Sequence, residues 1–234
     1  MRSLIVVAAL LAGLLAVVLS GPAPTGAQGG GTIVGEVKFV GTPPAPKVLK
    51  VNKDNEACGN EKTSEALVVG PAKGVQWAVV SVAGAKGPAP KAEKKPTLDQ
   101  KGCQFSPHVL LVPAGAEVDI VNPDGVLHNI HTFSKVNPAI NKAQPKFKKV
   151  MTEKFDKPEI IKVQCDAHSW MAGWIVVQEH PYYAVTDAEG SFRLTNVPPG
   201  KHKIEVWHET LGKETKEVEV KAGAETKLAF ELKR

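Results

Sequence analysis

The run Cys165-Asp-Ala-His168-Ser-Trp-Met171 places a thiol, an imidazole and a thioether within one short loop. A second imidazole, His128, stands upstream in Val-Leu-His-Asn-Ile-His. A thiolate and two imidazoles in a trigonal plane, with a weak axial thioether, form the donor set of a copper centre that exchanges single electrons. The thiolate is soft and donates strongly to copper. The imidazoles suit both Cu(I) and Cu(II), and the thioether adds a long, weak bond, so little has to rearrange when an electron moves. The Cys-x2-His-x2-Met spacing lets one loop wrap one ion. His128 must then arrive from a different strand end.

Each of these residues has a plainer explanation. A methionine is ordinarily a core residue, but Met171 is one of only three and stands at ligand spacing. Cys165 could be a buried structural thiol, although a reactive thiol is a liability in an exported protein. His131 lies three residues after His128, which on a strand turns it to the opposite face, so it reads as a surface or supporting residue. Trp170 and Trp174 read as core packing that also keeps water from the site and raises its potential. His108, His180, His202 and His208 have no metal-like spacing and read as structural. Zinc accepts Cys and His but takes Met poorly. A dinuclear copper centre needs a second cysteine on this loop, and none is there. The His-rich motifs of copper oxidases and the Gly-x-Ser-x-Gly elbow of serine hydrolases are also missing, so catalysis is not expected.

The elements around these residues read as β. Pro (18) and Gly (21) are frequent enough to predict many turns, and long helical periodicity is scarce, so the class is all-β. Residues 31–40 alternate as a strand, 66–70 and 75–82 are apolar runs, and 83–96 is a breaker-rich loop. Residues 109–112, 117–122 and 127–133 read as strands separated by the turns Pro113-Ala-Gly and Pro123-Asp-Gly. Residues 134–158 read as a long, polar, Lys-rich interval anchored by Phe147, Val150 and Phe155. Residues 160–165 run into the ligand loop and 173–178 leave it, so the ligands are expected on loops held by a rigid β scaffold. In the tail, 183–186, 190–194, 202–207, 216–220 and 226–232 read as five short strands of a small sandwich, or of half of one.

Arg2, the apolar run 4–19 and the small-residue exit that follows describe a secretory signal peptide cleaved after Ala27, with Ala23 as the alternative. No cysteine follows the apolar run, so a lipid anchor is not expected, and neither is stable membrane insertion after cleavage. Export to the periplasm or beyond is an oxidising destination. There are three cysteines, an odd count that leaves one thiol for chemistry. If Cys165 binds metal, Cys58 and Cys103 are free to pair, and such a disulfide would close a loop of about 45 residues, worth about 2–4 kcal/mol. The net charge of +5 concentrates in lysines at 91–95 and 142–149. With almost no arginine after the expected signal peptide, and with export expected, this does not describe a nucleic-acid binder. It describes either a solvated surface or a docking face for an acidic redox partner.

Across 105–178, the segments Phe105-Ser-Pro-His-Val-Leu-Leu-Val-Pro-Ala-Gly-Ala-Glu-Val-Asp-Ile-Val-Asn122, His128-Asn-Ile-His and Cys165-Asp-Ala-His-Ser-Trp-Met171 resemble the cupredoxins. The short ligand loop is more similar to amicyanin than to plastocyanin. The resemblance implies a Greek-key β-sandwich with His128, Cys165 and His168 as equatorial copper ligands and Met171 as the axial one. It implies that Asn129 holds the two ligand loops together, and that His168 is the more exposed ligand and the electron exit. Asp166 and Ala167 stand where amicyanins have Thr and Pro. The tail, from Thr186 through Trp207-His, resembles the carboxypeptidase regulatory-like, transthyretin-like β-sandwich, and 31–40 resembles the opening strand of such modules.

The expected organisation is a signal peptide at 1–27, an N-terminal β segment at 28–100 completing one of the sandwiches, a cupredoxin domain at 101–180 and a second sandwich at 181–234. The copper unit would be inserted into that second sandwich or packed against it. The expected function is electron transfer through one Cu(I)/Cu(II) ion. A copper storage or delivery protein and an extracellular scaffold module are the alternatives.

Overall fold

The computed structural model describes residues 29–87 and 90–234. The expected signal peptide lies outside the described residues. Among those described, no helix is long and apolar enough to cross a membrane.

The regular secondary structure of the described residues is almost entirely strand. It begins with β1 (Gly31–Phe39), β2 (Val48–Lys50), the one-turn helix α1 (Asn55–Cys58), β3 (Glu61–Thr63) and β4 (Val79–Val82). Next come β5 (Thr97–Asp99), β6 (Val109–Pro113), β7 (Glu117–Val121), β8 (His128–Thr132), β9 (Asn141–Gln144), β10 (Val150–Lys154), β11 (Glu159–Gln164) and β12 (Ala172–Gln178). The tail holds β13 (Tyr183–Val185), β14 (Ser191–Val197), β15 (Gly200–His208), β16 (Gly212–Val220) and β17 (Glu225–Leu232).

All of these strands except β2 and β3, which pair with each other, form two sandwiches, one of them holding the candidate site. That one packs the sheet β6-β12-β11-β8-β9 against β10-β7-β5. Its core includes Leu98, Phe105, Val112, Val118, Ile120, Ile130, Phe155, Ile161, Val163 and Ile175. The other pairs β14-β1-β17 with β13-β4-β15-β16 around Ile33, Val37, Val80, Val82, Leu194, Ile204, Val206 and Phe230. A smaller cluster of Val79, Val109 and Val176, with Trp77, Trp174 and Trp207 against it, joins the two.

Alternation makes the strands. In β7, Glu-Val-Asp-Ile-Val buries Val118 and Ile120 and turns Glu117, Asp119 and Val121 outward, the period-two pattern of a half-buried strand. β12 is buried almost throughout because its two faces meet different partners: Ile175 enters the site sandwich core and Val176 enters the junction. At Gly173 a Cβ would stand 3.0 Å from the His108 carbonyl oxygen. The missing side chain therefore lets β12 lie close to the 105–108 segment just beyond the ligand loop.

Two expectations need correction. Residues 28–100 do not complete one sandwich; they are shared between both. β1 and β4 pair with the tail strands, whereas β5 pairs with β7, and Val51 and Cys58 of the β2–α1–β3 excursion lie in the site sandwich's core. The strands of the site sandwich, β5 to β12, thus fall between β4 and β13 of the other, while Val51 and Cys58 reach its core from before β4. Residues 134–158 are not a plain loop, since they contain β9, paired with β8, and β10, paired with β7. Lysines on the exposed positions hid the alternation. Phe155 is buried as expected, but Phe147 is 82% exposed and Val150 is also exposed, so neither is an anchor.

Candidate metal centre

Three donors converge at one end of the site sandwich. Cys165 follows β11 directly, His168 sits in the loop to β12, and His128 opens β8. The loop folds on itself: the His168 N–H donates to the Cys165 carbonyl (3.3 Å), the Met171 N–H to the His168 carbonyl (2.9 Å), and the Cys165 N–H to the Met171 carbonyl (3.2 Å). Short spacing thereby becomes a closed turn. The two Nδ1 atoms of His128 and His168 stand 3.0 Å apart, and Cys165 Sγ lies 3.7 Å from His168 Nδ1 and 4.0 Å from His128 Nδ1. All three residues are buried. Met171 is buried in the same core cluster.

Asn129 bridges the segment at His128 and the segment at Cys165. Its N–H donates to Cys165 Sγ (3.4 Å), its Oδ1 accepts from the N–H groups of Asp166 and Ala167, and its Nδ2 donates to Asn141 Oδ1 (2.7 Å). His131 points away from the donors, bonding the Asp166 carboxylate at 3.0 Å and stacking on Phe133. It therefore supports the loop from outside. Trp170 lies beside His168, with ring centroids 5.0 Å apart, and donates from Nε1 to the Cys103 carbonyl (3.1 Å). Trp174 instead meets Trp207 edge-on at the junction.

The outer nitrogens of both imidazoles are held by carboxylates. His128 Nε2 lies 3.0 Å from Asp124 Oδ2, and His168 Nε2 lies 2.9 Å from Asp54 Oδ2. Asp124 in turn accepts from the N–H groups of Gly102 (2.9 Å) and Cys103 (2.8 Å). A carboxylate at Nε2 assigns the proton there and leaves Nδ1 with its lone pair directed inward. Neither aspartate was expected. Asp124 reads as a turn residue, and Asp54 is separated from His168 by 114 positions. Only the four-residue spacing of Asp124 and His128 offered any local signal.

These carboxylates overturn one expectation. His168 is not the exposed residue expected of it: its side chain is 0% exposed, and its Nε2 meets Asp54. The expected pair Cys58–Cys103 is a disulfide, and Cys165 is the free thiol. A second donor cluster, Cys103 with Asp124 and His128, offers no thiolate because its sulfur is in that disulfide.

The charge environment matches this geometry. Burial, only partly offset by the Asp124 hydrogen bond, holds His128 below the ordinary histidine range. Burial alone would raise Asp124, but the bonds from His128, Gly102 and Cys103 bring it below the usual carboxylate range. Burial pushes the Cys165 thiol up, against the N–H groups of Asn129, His168 and Ala167. An Nδ1–Nδ1 separation of 3.0 Å is met either by a proton shared between the two rings or by a cation bonded to both, and such a cation would also let the Cys165 thiol ionise. A single first-row ion bonded to all three donors, at about 2.0 Å to nitrogen and about 2.3 Å to sulfur, would hold the nitrogens about 3–4 Å apart and each about 3–4 Å from sulfur. The observed separations lie near these values, so the donors fit one such ion.

Residues 175–233 match the family model of the carboxypeptidase regulatory-like domain. No curated protein matches the chain. Among solved structures, the chain is similar to a copper(I) form of an amicyanin variant, with 19% identity and a TM-score of 0.34 over 42% of this chain and 98% of that one. It is also similar to a purple cupredoxin from Nitrosopumilus maritimus, with 22% identity and a TM-score of 0.31 over 36% of this chain and 99% of that one. The chain is thus all-β, with a carboxypeptidase regulatory-like domain within 175–233 that borrows β1 and β4 to complete its sheets, and cupredoxins are among its structural neighbours.

Proposed function

We propose that this is an exported, non-catalytic, mononuclear copper protein that passes single electrons between redox partners. The observation that carries this reading is the convergence of Cys165 Sγ with two imidazole Nδ1 atoms whose outer nitrogens are already engaged by carboxylates. His128, Cys165 and His168 would be the strong ligands, with Met171 as the weak axial one. Copper supplies the one-electron couple. The chain's own residues hold the donors in place through Asn129, Asp124 and Asp54, and exclude water with Trp170 and the sandwich core.

An acidic partner is favoured by the turn between β9 and β10. There Phe147 projects into solvent among Lys146, Lys148 and Lys149, and the base of this turn is tied to the centre because Gln144 pairs with His128. Lysines around an exposed aromatic combine electrostatic steering with an apolar anchor.

Adding Cu(II) to the chain from residue 28 onward should give an intense thiolate-to-copper absorption band and narrow hyperfine splitting in electron paramagnetic resonance. A colourless or ordinary copper spectrum would sink the electron-carrier reading. The closure of both imidazole edges also suits a second reading, copper holding and delivery. Reversible redox cycling with little change in copper affinity supports the carrier, whereas tight Cu(I) binding with no accessible couple supports delivery.

A further inference from the structure

The segment joining β2 to β3 is built to present one carboxylate. Asp54 adopts a left-handed backbone (φ 53°, ψ 38°), and its carbonyl accepts from the N–H groups of Ala57 (3.0 Å) and Cys58 (2.9 Å). Asn55 donates from its side chain to the carbonyls of Val51 (3.3 Å) and Gly59 (3.2 Å), and the Val51 N–H donates to the Asn60 carbonyl (2.9 Å). Val51 and Cys58 are buried in the core beneath. The result is a closed, internally bonded strap whose Asp54 side chain, about one-third exposed, reaches the fully buried His168 Nε2 at 2.9 Å.

The strap is also cross-linked to the other histidine's support. Cys58 bonds to Cys103. The N–H groups of Cys103 and Gly102 hold Asp124, and Asp124 holds His128 Nε2. One disulfide therefore connects the two segments that engage the two imidazoles, and the Cys103 carbonyl also anchors Trp170 over His168.

We infer that Asp54 is the positioning residue that sets the ring orientation and tautomer of His168, and that the strap latched by Cys58–Cys103 closes that imidazole against solvent and external chelators. The copper consequence rests on the function proposed above, but the tautomer and the solvent barrier do not. An electron leaving through His168 would cross Asp54 instead of a bare imidazole edge.

The test uses the full chain and two variants. Asp54→Gly deletes the carboxylate while tolerating the left-handed backbone, and Asp54→Asn keeps the shape without the charge. In metal-free protein, nitrogen-15 NMR should show His168 of the parent as a single Nε2–H tautomer with a slowly exchanging proton. Asp54→Gly should give mixed tautomers and exchange at least about tenfold faster, with Asp54→Asn between them. An unchanged tautomer in a folded Asp54→Gly chain overturns the positioning role. An unchanged exchange rate overturns the barrier. In copper-loaded protein, transfer of Cu(I) to bathocuproine disulfonate should speed up about tenfold in Asp54→Gly, and a rate equal to that of the parent overturns the chelator barrier. A chain that takes up no copper overturns the proposed centre, while the NMR measurements still decide the role of Asp54.

Discussion

Two pairs of buried histidines make opposite use of the same side chain. His128 and His168 turn their Nδ1 atoms toward one another and toward Cys165, and each gives its Nε2 to a carboxylate. His108 and His208 lie where the sandwiches meet. His108 bonds Glu209 through Nε2, and its Nδ1 has no hydrogen-bond partner. His208 Nδ1 accepts from the N–H groups of Thr210 (3.1 Å) and Leu211 (3.3 Å), which assigns the proton to its unpartnered Nε2. The junction has no thiolate beside its imidazoles, its His108 faces Glu65 and Glu209 instead, and it belongs to neither cluster of metal-capable donors found among the described residues. Burial and carboxylate neighbours alone do not make a metal centre. What separates the pairs is convergence, and convergence comes from the ligand loop that Asn129 and the 165–171 turns close.

The sharpest way to break this comparison is Cys165→Ala. It should abolish the thiolate-to-copper band entirely, whereas His108→Gln should leave the visible spectrum unchanged; a band that survives without Cys165 would erase the distinction. The next largest effect belongs to the junction. Burial, opposed by Glu209 and reinforced by His108, lowers His208 to about 4. The unfolded chain binds a proton near pH 6.5 and the folded chain does not until about pH 4, so stability should fall as pH drops through that window. The loss from this one group is on the order of 3 kcal/mol. Urea unfolding at several pH values should show this slope, and His208→Gln should flatten it.

Asp124→Asn probes the carboxylate support of the metal pair. It should weaken copper binding by about 10–100-fold, measured by competition with a chelator, and an unchanged affinity would reduce Asp124 to a turn residue. The smallest effect is expected from Met171→Ala, which should keep copper and its colour while moving the reduction potential. If voltammetry finds no movement, the axial assignment is wrong.

Much of the fold could be read locally. β6, β7, β8, β11 and β12 fall where alternation and the Pro-Ala-Gly and Pro-Asp-Gly turns put them, and the five tail strands follow their turn signals. β9 and β10 were obscured because lysines and threonine fill the exposed positions between few apolar residues. The exposure of Phe147 was equally illegible, since an aromatic among lysines looks the same whether it anchors a loop or projects from a turn.

The sequence by itself offered the candidate donors, because Cys165, His168 and Met171 share one short loop, and short-range hydrogen bonds close that loop into a turn. It also determined the candidate disulfide, given one cysteine committed to the loop. Only the tertiary structure decided that 31–82 is divided between two sandwiches, that His168 is closed instead of exposed, and that Asp54 and Asp124 secure the two imidazoles. The physical reason is range. A turn's chemistry lies in adjacent residues, whereas a carboxylate brought to a histidine from 114 positions away is placed by strand pairing and burial, which leave no local pattern behind.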